Sequence, residues 1–90
     1  MSDIPKIKPG DWITIGKDRG KDAVVCTVYE DHTLADIEVV HIDGGRAINE
    51  DVVWSEDHWE FKNSGPSGGY ADKYSRLKDY VDILRKGRHN

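Results

Sequence analysis

The pattern of apolar and polar residues predicts short β-strands in the first two thirds of the chain. Alternating runs rich in β-branched and aromatic residues are typical of strands. They occupy residues 11–15, 23–29, 37–42, a broken run at 47–48 and 52–54, and 58–61. Alternation in the second run places Val24, Cys26 and Val28 on one face of its strand.

The segments between these runs are polar and short enough for hairpins. Asp43-Gly44-Gly45 matches a two-residue hairpin turn, because glycine adopts positive φ angles at little cost. Asn49-Glu50-Asp51 predicts a further turn inside the broken run. The apolar phase changes at Val39-Val40, which predicts a β-bulge in that strand.

Five short strands predict a closed sheet. An open sheet of this size would leave unpaired edges and enclose no core. We therefore expect a mainly β fold, a five-stranded SH3-like barrel over residues 8–62. An OB-like barrel is the alternative, although it usually has longer strands.

The last third of the chain predicts one helix. Residues 63–69 are rich in Gly, Ser and Pro and predict a loop. Apolar residues then follow the spacing of an amphipathic helix over 70–86, with Tyr80 and Ile83 widening a stripe formed by Tyr70, Tyr74, Leu77, Val81 and Leu84. The stripe either docks across an open end of the barrel or pairs with a second chain, so the protein is a monomer or a homodimer. Docking is favoured, because an isolated helix of this length is marginally stable.

The composition fits one small domain and excludes several classes of protein. The 90 residues include 13 basic and 17 acidic residues, for a net charge of −4. The longest apolar runs are far shorter than the roughly 20 residues of a membrane-spanning helix. Cys26 is the only cysteine, which excludes a disulfide framework. The first residues do not resemble a signal peptide, and we expect a reducing, cytoplasmic location.

Charge is divided unevenly along the chain. Residues 1–63 carry 7 basic and 14 acidic side chains, a net charge of −7. Residues 64–90 carry 6 basic and 3 acidic side chains, a net charge of +3. An acidic body is therefore followed by a basic C-terminal segment.

One part of the chain resembles a known class of module. Residues 9–15, a loop bounded by glycines and the valine-rich residues 23–28 are similar to the opening of KOW- and Tudor-type SH3-like barrels. That resemblance implies recognition of RNA, of a modified peptide or of a protein partner. The net charge of −7 in the body departs from the basic character usual in KOW segments that bind nucleic acid.

The leading hypothesis is a small non-enzymatic interaction module that binds a protein or peptide. In the first strand Ile13 and Ile15 take one face, so Trp12 points to the other and is a candidate recognition aromatic. Trp59 shares a face with Phe61 and is expected in the core. The candidate ligand-binding residues are Trp12, Tyr29, Lys17, Arg19 and Trp54.

The alternative hypothesis is an RNA- or nucleoprotein-associated module that uses the basic C-terminal helix. Phosphates would be contacted by Lys73, Arg76, Lys78, Arg85, Lys86 and Arg88. Neighbouring aspartates reduce the local positive potential, so we expect weak, salt-sensitive binding to nucleic acid.

Catalysis and metal binding are weaker hypotheses. A second alternative is an enzyme built around His41, with Glu38 or Asp43 as its partner, but nothing in the sequence assigns a catalytic residue. Cysteine and histidine lack the paired spacing of zinc ligands, and no phosphate-binding glycine motif is present. We therefore expect neither a metal nor a cofactor, and Cys26 is expected to be a core residue.

Overall fold

The computed structural model describes residues 6–16, 20–29, 37–62 and 69–87, apart from the side chain of Asp72. Within these ranges five strands form a closed barrel in chain order: β1 (Trp12–Ile15), β2 (Lys21–Val28), β3 (Ile37–Asp43), β4 (Arg46–Ser55) and β5 (His58–Phe61). Two short 3₁₀ turns, Ala71–Lys73 and Ser75–Leu77, lead into the helix α1 (Lys78–Lys86). The mainly β prediction, with a five-stranded barrel and a C-terminal helix, is confirmed.

Successive strands pair antiparallel, and the barrel closes where β1 meets β5. That contact is parallel and consists of one register pair, Ile15 with Trp59. The backbone N–H of Gly16 also donates a 2.8 Å hydrogen bond to the carbonyl oxygen of Trp59. The closed order places a neighbouring strand on both sides of each of the five described strands.

The turn predictions had different outcomes. Gly44 and Gly45 link β3 to β4 with φ angles of 61° and 81°, which confirms the predicted hairpin turn. The turn predicted at residues 49–51 is wrong, because β4 runs through it without interruption. Both polar side chains are hydrogen-bonded there: Asn49 donates to Glu38 of β3, and Asp51 accepts from Tyr29, which follows β2.

The predicted bulge at Val39-Val40 is also wrong, since the irregularity lies in β2. The register with β3 shifts between Val25 and Thr27, so Cys26 is the extra residue. Val28 therefore lies on the face of Val25 and packs into the barrel interior instead of sharing a face with Cys26. The lost alternation at residues 37–40 of β3 has another cause, because the strand is buried on both faces.

Two apolar clusters follow from this two-sided burial. The barrel interior holds Ile13, Ile15, Ala23, Val25, Ile37, Val39, Val52 and Trp59. The opposite face of the sheet and the C-terminal segment form an outer cluster of Val24, Cys26, Val40, Ala47, Ala71, Leu77, Val81 and Leu84. The inward direction of the isoleucines in β1 and the burial of Trp59 are as predicted.

The C-terminal helix is shorter than the predicted 70–86. Tyr74 has an extended backbone, with φ −110° and ψ 111°, which separates the two 3₁₀ turns. Tyr70 forms an isolated antiparallel bridge with Ile48 of β4. Tyr70 and Tyr74 consequently leave the apolar stripe and are exposed.

The remaining stripe docks on the barrel, as favoured from the sequence. Leu77 is completely buried, and Val81 and Leu84 are nearly so. The contact is made with the outer face of β2 and β3 rather than across an open end of the barrel. Partial burial of Tyr80 and Ile83 against the same cluster confirms the widened stripe.

Leu77 tests this docking. Leu77→Ala leaves a cavity in the outer cluster, and we expect the free energy of unfolding to fall by about 2–5 kcal/mol. Lys86→Ala, at an exposed position of the same helix, should change it by no more than about 0.5 kcal/mol. Urea denaturation followed by circular dichroism measures both. Equal midpoints for the two variants would contradict the docked arrangement.

Candidate functional site

A buried carboxylate anchors the C-terminal segment to the barrel. Glu38 lies on the outer face of β3, and its side chain is 6% exposed. Both of its oxygens accept hydrogen bonds from Arg76, Oε1 from Nη1 at 2.8 Å and Oε2 from Nη2 at 2.9 Å. The hydroxyl of Thr27 and the side-chain amide of Asn49 donate to the same carboxylate, each at 3.1 Å. Glu38 is therefore a fully engaged ion-pair partner.

The electrostatics favour the charged form of both partners. The pKa of Glu38 lies below its usual value because of the Arg76 hydrogen bonds, although burial of the carboxylate opposes this. The bonds from Asn49 and Thr27 lower it further. Glu38 in turn raises the pKa of Arg76. Arg76 is one of the residues predicted to contact nucleic acid, and in the structure its charge is paired with that of Glu38.

A groove of about 480 Å³ lies along the outer side of the C-terminal segment. It exists because the chain is extended at Tyr74, which keeps the first 3₁₀ turn apart from α1. The buried side chains of Ala71 and Val81 form an apolar floor, and the rim is polar. The residues that line it are Ala71, Lys73, Tyr74, Ser75, Lys78, Val81, Asp82 and Arg85.

Two exposed tyrosines lie beside cations in this segment, and one of them, Tyr74, lines the groove. Tyr70 is 44% exposed, with the guanidinium of Arg46 4.9 Å and the ammonium of Lys73 5.6 Å from its ring centroid. Tyr74 is 43% exposed, and the guanidinium of Arg76 lies 5.6 Å from its ring centroid. These contacts hold the rings in place while leaving part of each accessible.

The aromatic residues predicted to form one binding site lie in three different environments. Trp12 is half-buried against the outer cluster and lines a smaller pocket of about 310 Å³ beside Leu84 and Gly87. Tyr29 is exposed, and its hydroxyl donates a 3.0 Å hydrogen bond to Asp51.

Trp54 packs against the interior cluster. It forms an edge contact with Trp59, with ring centroids 5.2 Å apart. The other two candidates, Lys17 and Arg19, lie outside the described residues, as does Arg88 of the basic set.

His41 is buried inside the barrel, 5.4 Å from Phe61 between ring centroids. Glu38, its possible catalytic partner, lies on the other face of β3. Neither ring nitrogen of His41 forms a hydrogen bond with a described side chain. Burial lowers the pKa of His41, as does the positive charge of Lys21, while an interaction with the Ile42 backbone and the charge of Asp43 act in the opposite direction. The neutral imidazole is thus the form that fits the barrel.

Cys26 occupies a core position, as predicted. Its side chain is buried in the outer cluster, and burial, followed by the charge of Glu38, raises the pKa of the thiol to about 12. Among the described residues no group of three or more His, Cys, Asp or Glu side chains is arranged to hold a metal ion. None of the helices in the described part of the chain is long and apolar enough to cross a membrane.

Sequence reasoning identified the groove's cations but missed the groove itself. Lys73, Lys78 and Arg85 were assigned to an unbroken basic helix, and they instead line a cleft. Tyr74 and Ser75 were not singled out as site residues. The regular spacing of the apolar stripe concealed the break at Tyr74, and no local signal marks it.

Comparison with known proteins identifies no relative. No protein-family model matches the chain, and no curated protein or solved structure shows significant similarity to it.

Arg76 offers a test of the anchor. Arg76→Ala leaves Glu38 with Thr27 and Asn49, and we expect a loss of about 1–2 kcal/mol in the free energy of unfolding, since the arginine side chain is partly exposed. Arg76→Lys should restore only part of this, because an ammonium group does not bridge both carboxylate oxygens as a guanidinium does. Urea denaturation measures both. Full recovery with lysine would show that charge alone matters.

The lowered pKa values predict a loss of stability in acid. His41 favours its neutral form in the folded state, so its contribution is complete above about pH 6.5 and declines below that value. The contribution of Glu38 is lost below about pH 4.3. Half-buried His58, whose pKa is raised by its hydrogen bond to Asp57, acts in the opposite sense.

Thermal unfolding from pH 4 to 8 tests this assignment. His41→Leu should remove the decline between about pH 5 and 6.5, whereas the control His58→Gln should make that decline steeper. An unchanged profile for His41→Leu would show that other groups cause the acid sensitivity.

Proposed function

We propose that this protein is a small non-enzymatic interaction module that binds a protein or peptide partner in the groove beside α1. The single observation that carries the proposal is the groove itself, with an apolar floor, a polar rim and an accessible tyrosine. Its volume of about 480 Å³ falls within the range of ligand pockets, roughly 300–1,000 Å³. The proposal moves the binding surface from Trp12 to the C-terminal segment.

The character of the groove resembles the centre of a protein interface. Such centres combine apolar contact area with aromatic and arginine side chains, surrounded by a polar rim. Tyr74 supplies an aromatic ring with an adjacent cation, and Ala71 and Val81 contribute apolar side chains to the lining. A short peptide segment fits this combination.

The barrel supports recognition through side chains rather than through strand addition. A peptide that extends a sheet needs an exposed strand edge, whereas in the closed order β1 to β5 each described strand has a neighbouring strand on both sides. We assign the barrel to the SH3-like type, because the opening of the chain resembles that of KOW- and Tudor-type modules. In this assignment the barrel is a scaffold for the C-terminal segment, in a cytoplasmic setting.

Binding of RNA is the second candidate. Exposed Tyr70 and Tyr74 beside cations favour it, since bases stack on aromatic rings in single-strand binders. Three features weigh against it: Arg76 is committed to Glu38, Asp82 lies in the groove, and the body carries a net charge of −7. A continuous polyanion would be repelled by that body.

Site-specific cross-linking tests the proposed function. Ser75, exposed and lining the groove, is replaced by the photoreactive residue p-benzoylphenylalanine, and exposed Glu60 on β5 carries the same group in the control. We expect a discrete adduct from position 75 alone, insensitive to nuclease, with a protein identified by mass spectrometry.

Reconstitution with the purified partner completes this test. Tyr74→Ala should weaken its binding about 30-fold, the loss typical of a hot-spot aromatic. Adducts that disappear with nuclease would support the RNA candidate. Equal adducts from positions 75 and 60, or full affinity of Tyr74→Ala, would contradict the groove as the binding surface.

A further inference from the structure

We infer that the groove selects an acidic peptide segment in which an apolar side chain lies between acidic ones. This inference rests on the proposed function and names the chemistry of the partner. It follows from the charge of the rim, the arrangement of the rim around an apolar floor and the unequal charge of the two parts of the chain.

The rim carries an excess of positive charge. Among the described lining residues, Lys73, Lys78 and Arg85 are basic and Asp82 is acidic, a net charge of +2. Within the described part of the chain, Lys78 forms no ion pair, and the charged and aromatic contacts of Lys73 are limited to the ring of Tyr70. These two ammonium groups are therefore available to carboxylates of a partner.

The cations lie on both sides of the floor. Lys78, Asp82 and Arg85 follow one another at intervals of four and three residues, so they lie along one face of α1. Lys73 belongs to the first 3₁₀ turn, which is separated from α1 by the extended residue Tyr74. A segment in the groove therefore meets positive charge from two chain elements, with the buried side chains of Ala71 and Val81 between them.

This arrangement predicts a pattern in the ligand. The floor favours an apolar side chain, since burial of apolar surface is the main non-directional source of affinity. Carboxylates on either side of that side chain would meet the rim cations. The carboxylate of Asp82 repels a ligand with unbroken negative charge, such as a nucleic acid backbone. A peptide whose acidic side chains are spaced apart can place an uncharged residue beside Asp82.

The uneven charge of the protein restricts where an acidic partner can bind. Residues 1–63 have a net charge of −7, whereas residues 64–90 have a net charge of +3. An acidic partner is attracted to the C-terminal segment alone, and this orients the encounter before contact. A basic partner would instead meet the body of the barrel.

Labelled peptides provide a direct test with the full chain. The first probe is the peptide Glu-Leu-Glu-Glu-Leu-Glu, and its neutral control is Gln-Leu-Gln-Gln-Leu-Gln. A thymidine oligonucleotide of equal net charge represents nucleic acid. Fluorescence anisotropy gives the affinities, and amide chemical shifts show where each probe binds. We expect the acidic peptide to bind about tenfold or more tightly than either comparator, with shifts concentrated at residues 71–85.

Matched variants separate the groove from general attraction to positive charge. Lys78→Glu should weaken binding of the acidic peptide about fivefold or more, whereas Lys86→Glu, the same change on the same helix outside the groove lining, should alter it less than about twofold. Ser75→Trp occludes the groove without changing charge and should also abolish the shifts. Circular dichroism confirms that each variant is folded.

The outcomes distinguish the chemistry of the partner from the existence of the site. Equal affinity for the acidic and neutral peptides, or equal losses from Lys78→Glu and Lys86→Glu, would overturn the inference. If a protein still cross-links at position 75 in that case, the proposed function remains and only the acidic partner is rejected. Tighter binding of the oligonucleotide at equal charge would overturn the inference in favour of the RNA candidate.

Discussion

The outer face of β2 and β3 carries a cluster of apolar side chains, and covering this cluster is the constraint on which the rest of the structure depends. Val24, Cys26 and Val40 on this face are as well buried as the residues that fill the barrel. A five-stranded barrel buries only one face of its strands, so these side chains need a second layer. Leu77, Val81 and Leu84 provide it. The C-terminal segment is therefore part of the fold rather than an appendage to it.

The Glu38–Arg76 ion pair determines where that second layer is held. Apolar packing is non-directional, so on its own it would permit small shifts of the segment along the sheet. A bidentate pair between planar groups defines one orientation. Because Thr27 and Asn49 position the carboxylate from the neighbouring strands, the anchor ties three strands to the C-terminal segment.

The groove is a consequence of these two interactions acting on a short stretch of chain. Arg76 and Leu77 bind the barrel on one side of Tyr74, and Tyr70 bridges to β4 on the other. The chain between them is extended at Tyr74 instead of helical. The same break that shortens the helix also exposes two tyrosines and opens the cleft in which we place the partner.

Features that depend on residues close together in the sequence were predictable from the sequence. The five strands, the glycine hairpin at residues 44–45, the inward direction of Ile13 and Ile15 and the docked face of α1 all follow from periodicity and turn chemistry. Local patterns are sufficient for these features, because side chains return to the same face every two residues in a strand and about every 3.6 residues in a helix.

Features that depend on residues far apart in the sequence were decided by the tertiary structure. The bulge at Cys26, the uninterrupted β4 and the break at Tyr74 each reflect contacts between separate elements. Glu38 and Arg76 are 38 residues apart, so no local spacing relates them. Because β3 is buried on both faces, its residues also lack the apolar–polar alternation that identifies the inward face of a strand. The sequence thus determined which elements form and which side chains are apolar, whereas packing decided which cations hold the fold together and which remain available for a partner.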